Sequence, residues 1–196
     1  LGGFVSGFAY TALAVAALGA GDVSAAQDAS EASWRRLSVQ PEFASVNINP
    51  MAEIALARGD LVAARHWADE AVSVMRGWHL AMALRTRARV AIAQGELGQA
   101  ERDAHDALTV AADVHAHSGI PDTLECLADL AVKADSHREA ARLFGAADVI
   151  RQRIGVVRFK IYDAEYESSL GALRDAMGEE DFAAAWAEGA ALSTDE

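Results

Sequence analysis

The string ARGDLVAA at 57–64 reads as the end of one helix, a break at Gly59, an N-cap at Asp60 and the first turn of the next helix. AQGELGQA at 93–100 is a close copy and GAGDVSAA at 19–26 a third, while KADSHREA at 133–140 is a fourth in which Asp135 takes the glycine place. The turns fall at 21, 59, 95 and 135, at intervals of 38, 36 and 40 residues. A period of this length marks stacked helical hairpins, because a hairpin alone has nothing against which to bury its apolar face.

Working outward, the pattern predicts helices near 4–18 and 23–37, the second capped by Asp22, then a break at 38–49 containing Pro41. Pro50 suits the first turn of a short helix, 50–58, with Asn49 as its N-cap, and Phe43 and Val46 are placed to form an extra turn that covers the gap. Further helices are expected at 61–76, stopped by Gly77, at 78–94 and at 97–117. The fourth hairpin carries two cap patterns, Asp122 with Glu125 and Ser136 with Glu139. An apolar and basic connector at 156–162 then leads to two closing helices, 164–177 and 180–192, the first with Tyr166, Leu170, Leu173 and Met177 on one face. The expectation is an all-α single domain over 1–196, with repeats at about 4–37, 45–77, 78–118 and 121–154 and closing helices at 163–192.

Composition bounds the rest. Of 196 residues 52% are apolar and only 7% aromatic, which favours close-packed helices over sheet. A net charge of −12 argues against direct nucleic-acid contact by this segment. The apolar run 4–20 contains Ser6, Gly7 and Thr11, lacks a basic flank and follows the repeat register, so it reads as a buried helix and no membrane partner is expected. With leucine at residue 1, no signal-like start and a capping-box pattern in the last four residues, Ser193 to Glu196, the expectation is a cytoplasmic fragment of a larger chain.

Aligned on the turn, the repeats resemble the tetratricopeptide family. Its small residue in the first helix falls on Ala14, Ala52, Ala88 and Ala128, its next contact on Ala17, Ala55, Ala91 and Ala131, and its small residue in the second helix on Ala26, Ala64, Ala100 and Ala140. The large residue of the second helix is irregular, with Ser30, Ala68, Ala104 and Phe144, and the proline that closes each family repeat is absent. The strings WADEAV (67–72), RARVAIAQGE (87–96), QAERDAHDAL (99–108), LECLADLA (124–131), ARLFGAAD (141–148) and AAAWAEGAALSTDE (183–196) resemble the C-terminal region of large actinobacterial LuxR-type regulators. That resemblance implies a non-enzymatic helical-repeat module that follows an ATPase and precedes a DNA-binding helix-turn-helix. Its implied partners are a protein or small-molecule signal, the other domains of the parent chain and, on a purely structural reading, a second copy or a spacer role between those domains.

No catalytic, cofactor or metal residues are expected. Lys133 and Lys160 lack a Gly-rich phosphate loop, no nucleophile elbow is present, and Cys126 reads as a small buried residue. His115 and His117 point apart if helical, and His66 with Glu70 supplies two ligands where metal sites need three or four. The tetratricopeptide resemblance puts six residues on the concave groove: Asn49 and Glu53, Arg85 and Arg89, Glu125 and Asp129. Two readings stand: the arginines pair with the acids and fix repeat register, or one is free to take a carboxylate or phosphate from a partner. Trp67 and Trp186 read as core, whereas Trp34 beside Arg35 and Arg36, and Trp78 beside His79, are candidates for a contact rim.

Overall fold

Ten α-helices follow one another along the described residues of the computed structural model, which covers 2–39 and 45–192, with side chains from residue 5 onward. They are α1 (Gly2–Ala20), α2 (Val23–Leu37), α3 (Ile48–Ala57), α4 (Leu61–Val74), α5 (Trp78–Gln94), α6 (Leu97–Asp113), α7 (Ile120–Lys133), α8 (His137–Ile154), α9 (Asp163–Met177) and α10 (Glu179–Ala190). Short 3-10 turns sit at Ser45–Asn47, His117–Gly119 and Lys160–Tyr162, and there is no strand among the described residues. The expected roles of Pro41, Phe43 and the 193–196 cap pattern lie outside those residues.

The four turns share one geometry. Gly21, Gly59 and Gly95 take φ of 81°, 74° and 79°, and Asp135 takes 56°, the left-handed region that aspartate enters more readily than most side chains. At Gly59 the amides of Gly59 and Asp60 donate to Leu56 and Ala55, each at 2.9 Å; at Asp135 the amides of Asp135 and Ser136 donate to Val132 and Ala131 at 3.1 and 2.9 Å. The fourth hairpin therefore closes without its glycine. Asp22 and Asp60 cap α2 and α4, each accepting from the amide three residues on, Ala25 at 2.9 Å and Ala63 at 3.0 Å.

Helices pack as α1 with α2, α3 with α4, α5 with α6 and α7 with α8; each second helix also touches the first helix of the next pair, and α1, α3, α5 and α7 lie side by side. The alanines at the small-residue positions make this possible. Ala14, Ala52, Ala88 and Ala128, and likewise Ala26, Ala64, Ala100 and Ala140, are all fully buried. At the C-terminal end Phe144, Leu170, Leu173 and Phe182 form the largest-residue core, and α10 lies directly on α8. A Cβ on Gly145 would collide with the Trp186 carbonyl, and one on Gly189 with the Arg142 carbonyl.

Several boundaries differ from the sequence reading for local reasons. α3 starts at Ile48, so Asn49 and Pro50 lie in its first turn; Asn47 holds the cap position but turns its Nδ2 to the Ser30 carbonyl and Oγ, both at 3.0 Å. α4 stops at Val74 because Met75 is extended. α6 stops at Asp113, and His115 takes a φ of 53°, so His115 lies in a turn and His117 opens a 3-10 turn instead of continuing the helix. α7 begins at Ile120 with Pro121 in its first turn, so Asp122 is a first-turn residue and not the cap. Among the described residues no helix is long and apolar enough to cross a membrane.

Candidate functional site

α3, α5 and α7 present six polar residues to one shared face, and all six are buried. Asn49, Glu53, Arg85, Arg89, Glu125 and Asp129 are 4, 4, 8, 6, 3 and 7% exposed, so they form a floor under cover and not an open lining. Burial of charge at this density requires pairing.

The pairing is a chain of alternating charge. Arg85 reaches Glu53 at 3.7 Å and Asp122 at 3.0 Å, Asp122 accepts from Arg151 at 2.9 Å, and Arg151 donates to Glu125 at 2.7 Å. Glu125 also takes Arg158 at 2.7 Å, and Thr86 donates to Glu53 at 3.0 Å. Burial by itself would raise the Asp122 carboxyl, but Arg85, Arg89 and Arg151 outweigh it and hold the group below its usual value. Arg89 differs from its neighbour Arg85. It forms no ion pair among the described residues; its guanidinium lies 3.8 Å from the Tyr162 ring centroid, donates to the Asp122 carbonyl at 3.4 Å, and leaves Nε unpartnered. Asp129, by contrast, faces Ser169, whose hydroxyl donates to it at 2.7 Å, and burial pushes its carboxyl up to about 6.

What covers the floor is the protein's own connector. Residues 156–162 leave α8, cross the face of α7 and α5 and reach the end of α1, where Phe159 lies 3.6 Å from the position of a Cβ on Gly19. Phe159 and Ile161 pack against Leu18, Ala26 and Ile54. Tyr162 is 8% exposed and its hydroxyl, which has no partner, is raised above its ordinary value by burial. Between Arg89, Glu125, Asp129 and Tyr162 a space of about 10 Å³ remains, room for at most one water.

An open cavity of about 320 Å³ lies at the edge of this cover. Its walls are largely apolar, with Trp78, Met82, Ala107, Ala111 and Phe159, and its polar floor is Arg85, Asp122 and Arg151. Trp78 is 47% exposed and tilts against His79, with ring centroids 4.3 Å apart. The size and the mixture of apolar walls with a few polar groups are those of small-ligand sites. A second cleft of about 450 Å³ holds Trp34 and Trp67 in an edge-to-face pair with centroids 5.8 Å apart. Trp67 and Trp186 are half-buried against the core and Trp34 is half-buried with them.

The tetratricopeptide resemblance singled out six of the polar residues in the floor, and Asp122, Arg151, Arg158 and Tyr162 were not among them. Asp122 and Glu125 carry the spacing of a helix cap, which masks their inward role. Arg158 and Tyr162 sit in a segment outside the repeat, where periodicity carries no information. Cys126 is fully buried, donates its Sγ to the Asp122 carbonyl at 3.2 Å, and burial pushes its thiol up to about 12, far from nucleophilic use. His66 and Glu70 are both exposed, and no group of three or more His, Cys, Asp or Glu converges as a metal site among the described residues.

Over its full length the chain is 53% identical to proteins from Mycobacterium bovis and Mycobacterium tuberculosis that bear the name HTH-type transcriptional regulator. It spans 22% of the length of these relatives. No protein-family model and no solved structure matches it.

Proposed function

We propose that this chain is a non-enzymatic, tetratricopeptide-like repeat module of a LuxR-type cytoplasmic transcription regulator, receiving a protein or small-molecule signal at the cavity beside Trp78. The observation that carries this reading is a shared set of residues. Arg85, Asp122 and Arg151 form the cavity floor and are also links in the buried charge chain that joins α3, α5, α7, α8 and the connector. A ligand that altered any one of these contacts would be felt by four helices at once, which is the requirement for coupling between sites. The cavity favours a ligand with a flat apolar body against Trp78, Met82 and Phe159 and a polar end toward Asp122.

A screen of small aromatic and amphipathic metabolites, read by thermal shift and Trp78 fluorescence, tests the proposal. Ala111→Leu, which fills the cavity from a buried position on α6, is expected to abolish the response to any hit, each shift being read against the melting of the ligand-free variant itself. A hit that shifts Ala111→Leu and the unchanged protein equally binds elsewhere and contradicts the site.

A second reading is favoured by the filled inner face. Because the connector already occupies the floor, the repeats serve as a spacer or oligomerisation arm between an ATPase and a helix-turn-helix. Small-angle scattering over a concentration series separates the two, since a ligand-independent dimer supports the arm and a ligand-dependent change of a monomer supports the sensor.

A further inference from the structure

Helix α1 carries no charged residue from Gly2 to Ala20, yet one of its faces is open. Val5 is 64% and Leu13 56% exposed, and Ala9, Ala12 and Ala16 are exposed beside them. Counted back from the shared turn, Ala9 occupies the same register as Asn47, Ala83 and Thr123, Ala12 the register of Pro50, Thr86 and Cys126, and Ala16 that of Ile54, Val90 and Leu130. Eight of these nine equivalents are buried and the ninth, Leu130, is half-buried.

In the later repeats it is the preceding hairpin that does the covering. Asn47 bonds to Ser30 of α2, Thr86 bonds to Glu53 of α3, Ile54 packs on Leu18 and Ala26, Val90 on Ala52 and Ala64, and Cys126 on Ala91 and Ala100. The open face of α1 is thus the leading face of a repeat without its predecessor, and its lack of charge fits a surface that is dry in the assembled protein.

We infer that this face docks one more helical hairpin of the same kind, contributed by the same polypeptide ahead of α1. A second copy of the chain cannot repeat the internal stacking here. The internal contacts run head to tail, so a copy would have to offer the trailing face of its last hairpin, and that face of α8 is already covered by α9 and α10. The relatives have the length to supply it, since the chain spans 22% of them.

Thiol labelling of single-cysteine variants in the full-length regulator tests the inference, read residue by residue by mass spectrometry. Ala12→Cys and Ala16→Cys report the face, and Val62→Cys, at a position 82% exposed on α4, is the open reference; Cys126 is fully buried. Alanine to cysteine is small enough to leave folding intact, and circular dichroism checks it. Both α1 cysteines are expected to react at least tenfold more slowly than Val62→Cys at every protein concentration. Reaction at the Val62→Cys rate overturns the inference, and slow reaction that becomes fast on dilution overturns it in favour of a second copy.

Discussion

Arg158 sets its guanidinium on Glu125, with Nε 3.1 Å from each carboxylate oxygen and Nη2 2.7 Å from Oε1, and so fastens the connector to α7. The same group lies 3.4 Å from the Tyr166 ring centroid, which ties the connector to α9 as well. Glu125 is the acid that both Arg151 and Arg158 use. Removing its charge leaves Arg158 without an acidic partner and Arg151 with Asp122 alone. Glu125→Gln is expected to lower stability by about 3 kcal/mol, the usual size for breaking a buried pair from one side. Arg158→Ala, at the better-solvated end, costs about 1–2 kcal/mol, and the double variant costs less than the sum. Urea unfolding of the three variants measures this; an additive double variant would show that the contact carries no coupling.

Asp129 gives the protein a pH dependence of opposite sign to that of Asp122. Burial raises its carboxyl from 3.8 to about 6, so the fold favours the protonated form. Its contribution is fully present below about pH 4 and is lost as pH rises through about 6. The lowered carboxyl of Asp122 acts the other way, adding stability above its unfolded range that disappears in acid. Asp129→Asn keeps an acceptor for Ser169 and removes the buried charge. It is expected to be more stable than the unchanged protein at pH 7 by about 1–3 kcal/mol, with the gap closing near pH 4. Unfolding midpoints across that range test it, and a gap that is constant with pH would contradict the assignment.

Two glycines set how closely α10 lies on α8. Gly145 and Gly189 each face a backbone carbonyl of the other helix with no space for a methyl group, whereas Gly171 in α9 faces open space. Gly145→Ala and Gly189→Ala are therefore each expected to cost about 2–3 kcal/mol through forced separation of the helices. Gly171→Ala is expected to stabilise by about 0.5–1 kcal/mol through helix propensity alone. Thermal melts of the three distinguish contact from propensity, since propensity alone would stabilise all three.

The fold was legible where the sequence repeats and obscure where it does not. Ala14, Ala52, Ala88 and Ala128 align from the sequence alone because stacking demands the same small residue at each layer, and all four are fully buried. Asp135 was readable as a turn because aspartate tolerates the left-handed backbone that glycine takes elsewhere. The end of α6 at Asp113 was missed because helical composition continues through it and no glycine or proline marks the turn at His115. At the site, the resemblance of the repeats set Arg85 and Glu53 on the groove side, and in the structure the two lie 3.7 Å apart. The resemblance could not place Arg158 or Tyr162, because a segment that crosses between repeats obeys tertiary contacts and not a local period. That crossing turned six groove positions into a buried floor.

Hydroxyl-radical footprinting of the folded protein tests the covered floor most directly, because it reads side-chain exposure residue by residue. Tyr162 is 8% and Trp78 47% exposed. With Tyr162 seated against Arg89, its oxidation, corrected for intrinsic reactivity, is expected to fall at least fivefold below that of Trp78 and to recover on unfolding in urea. Equal corrected rates for Tyr162 and Trp78 in the folded protein would mean that the connector stands away from α5 and α7, and the inner face would then be open.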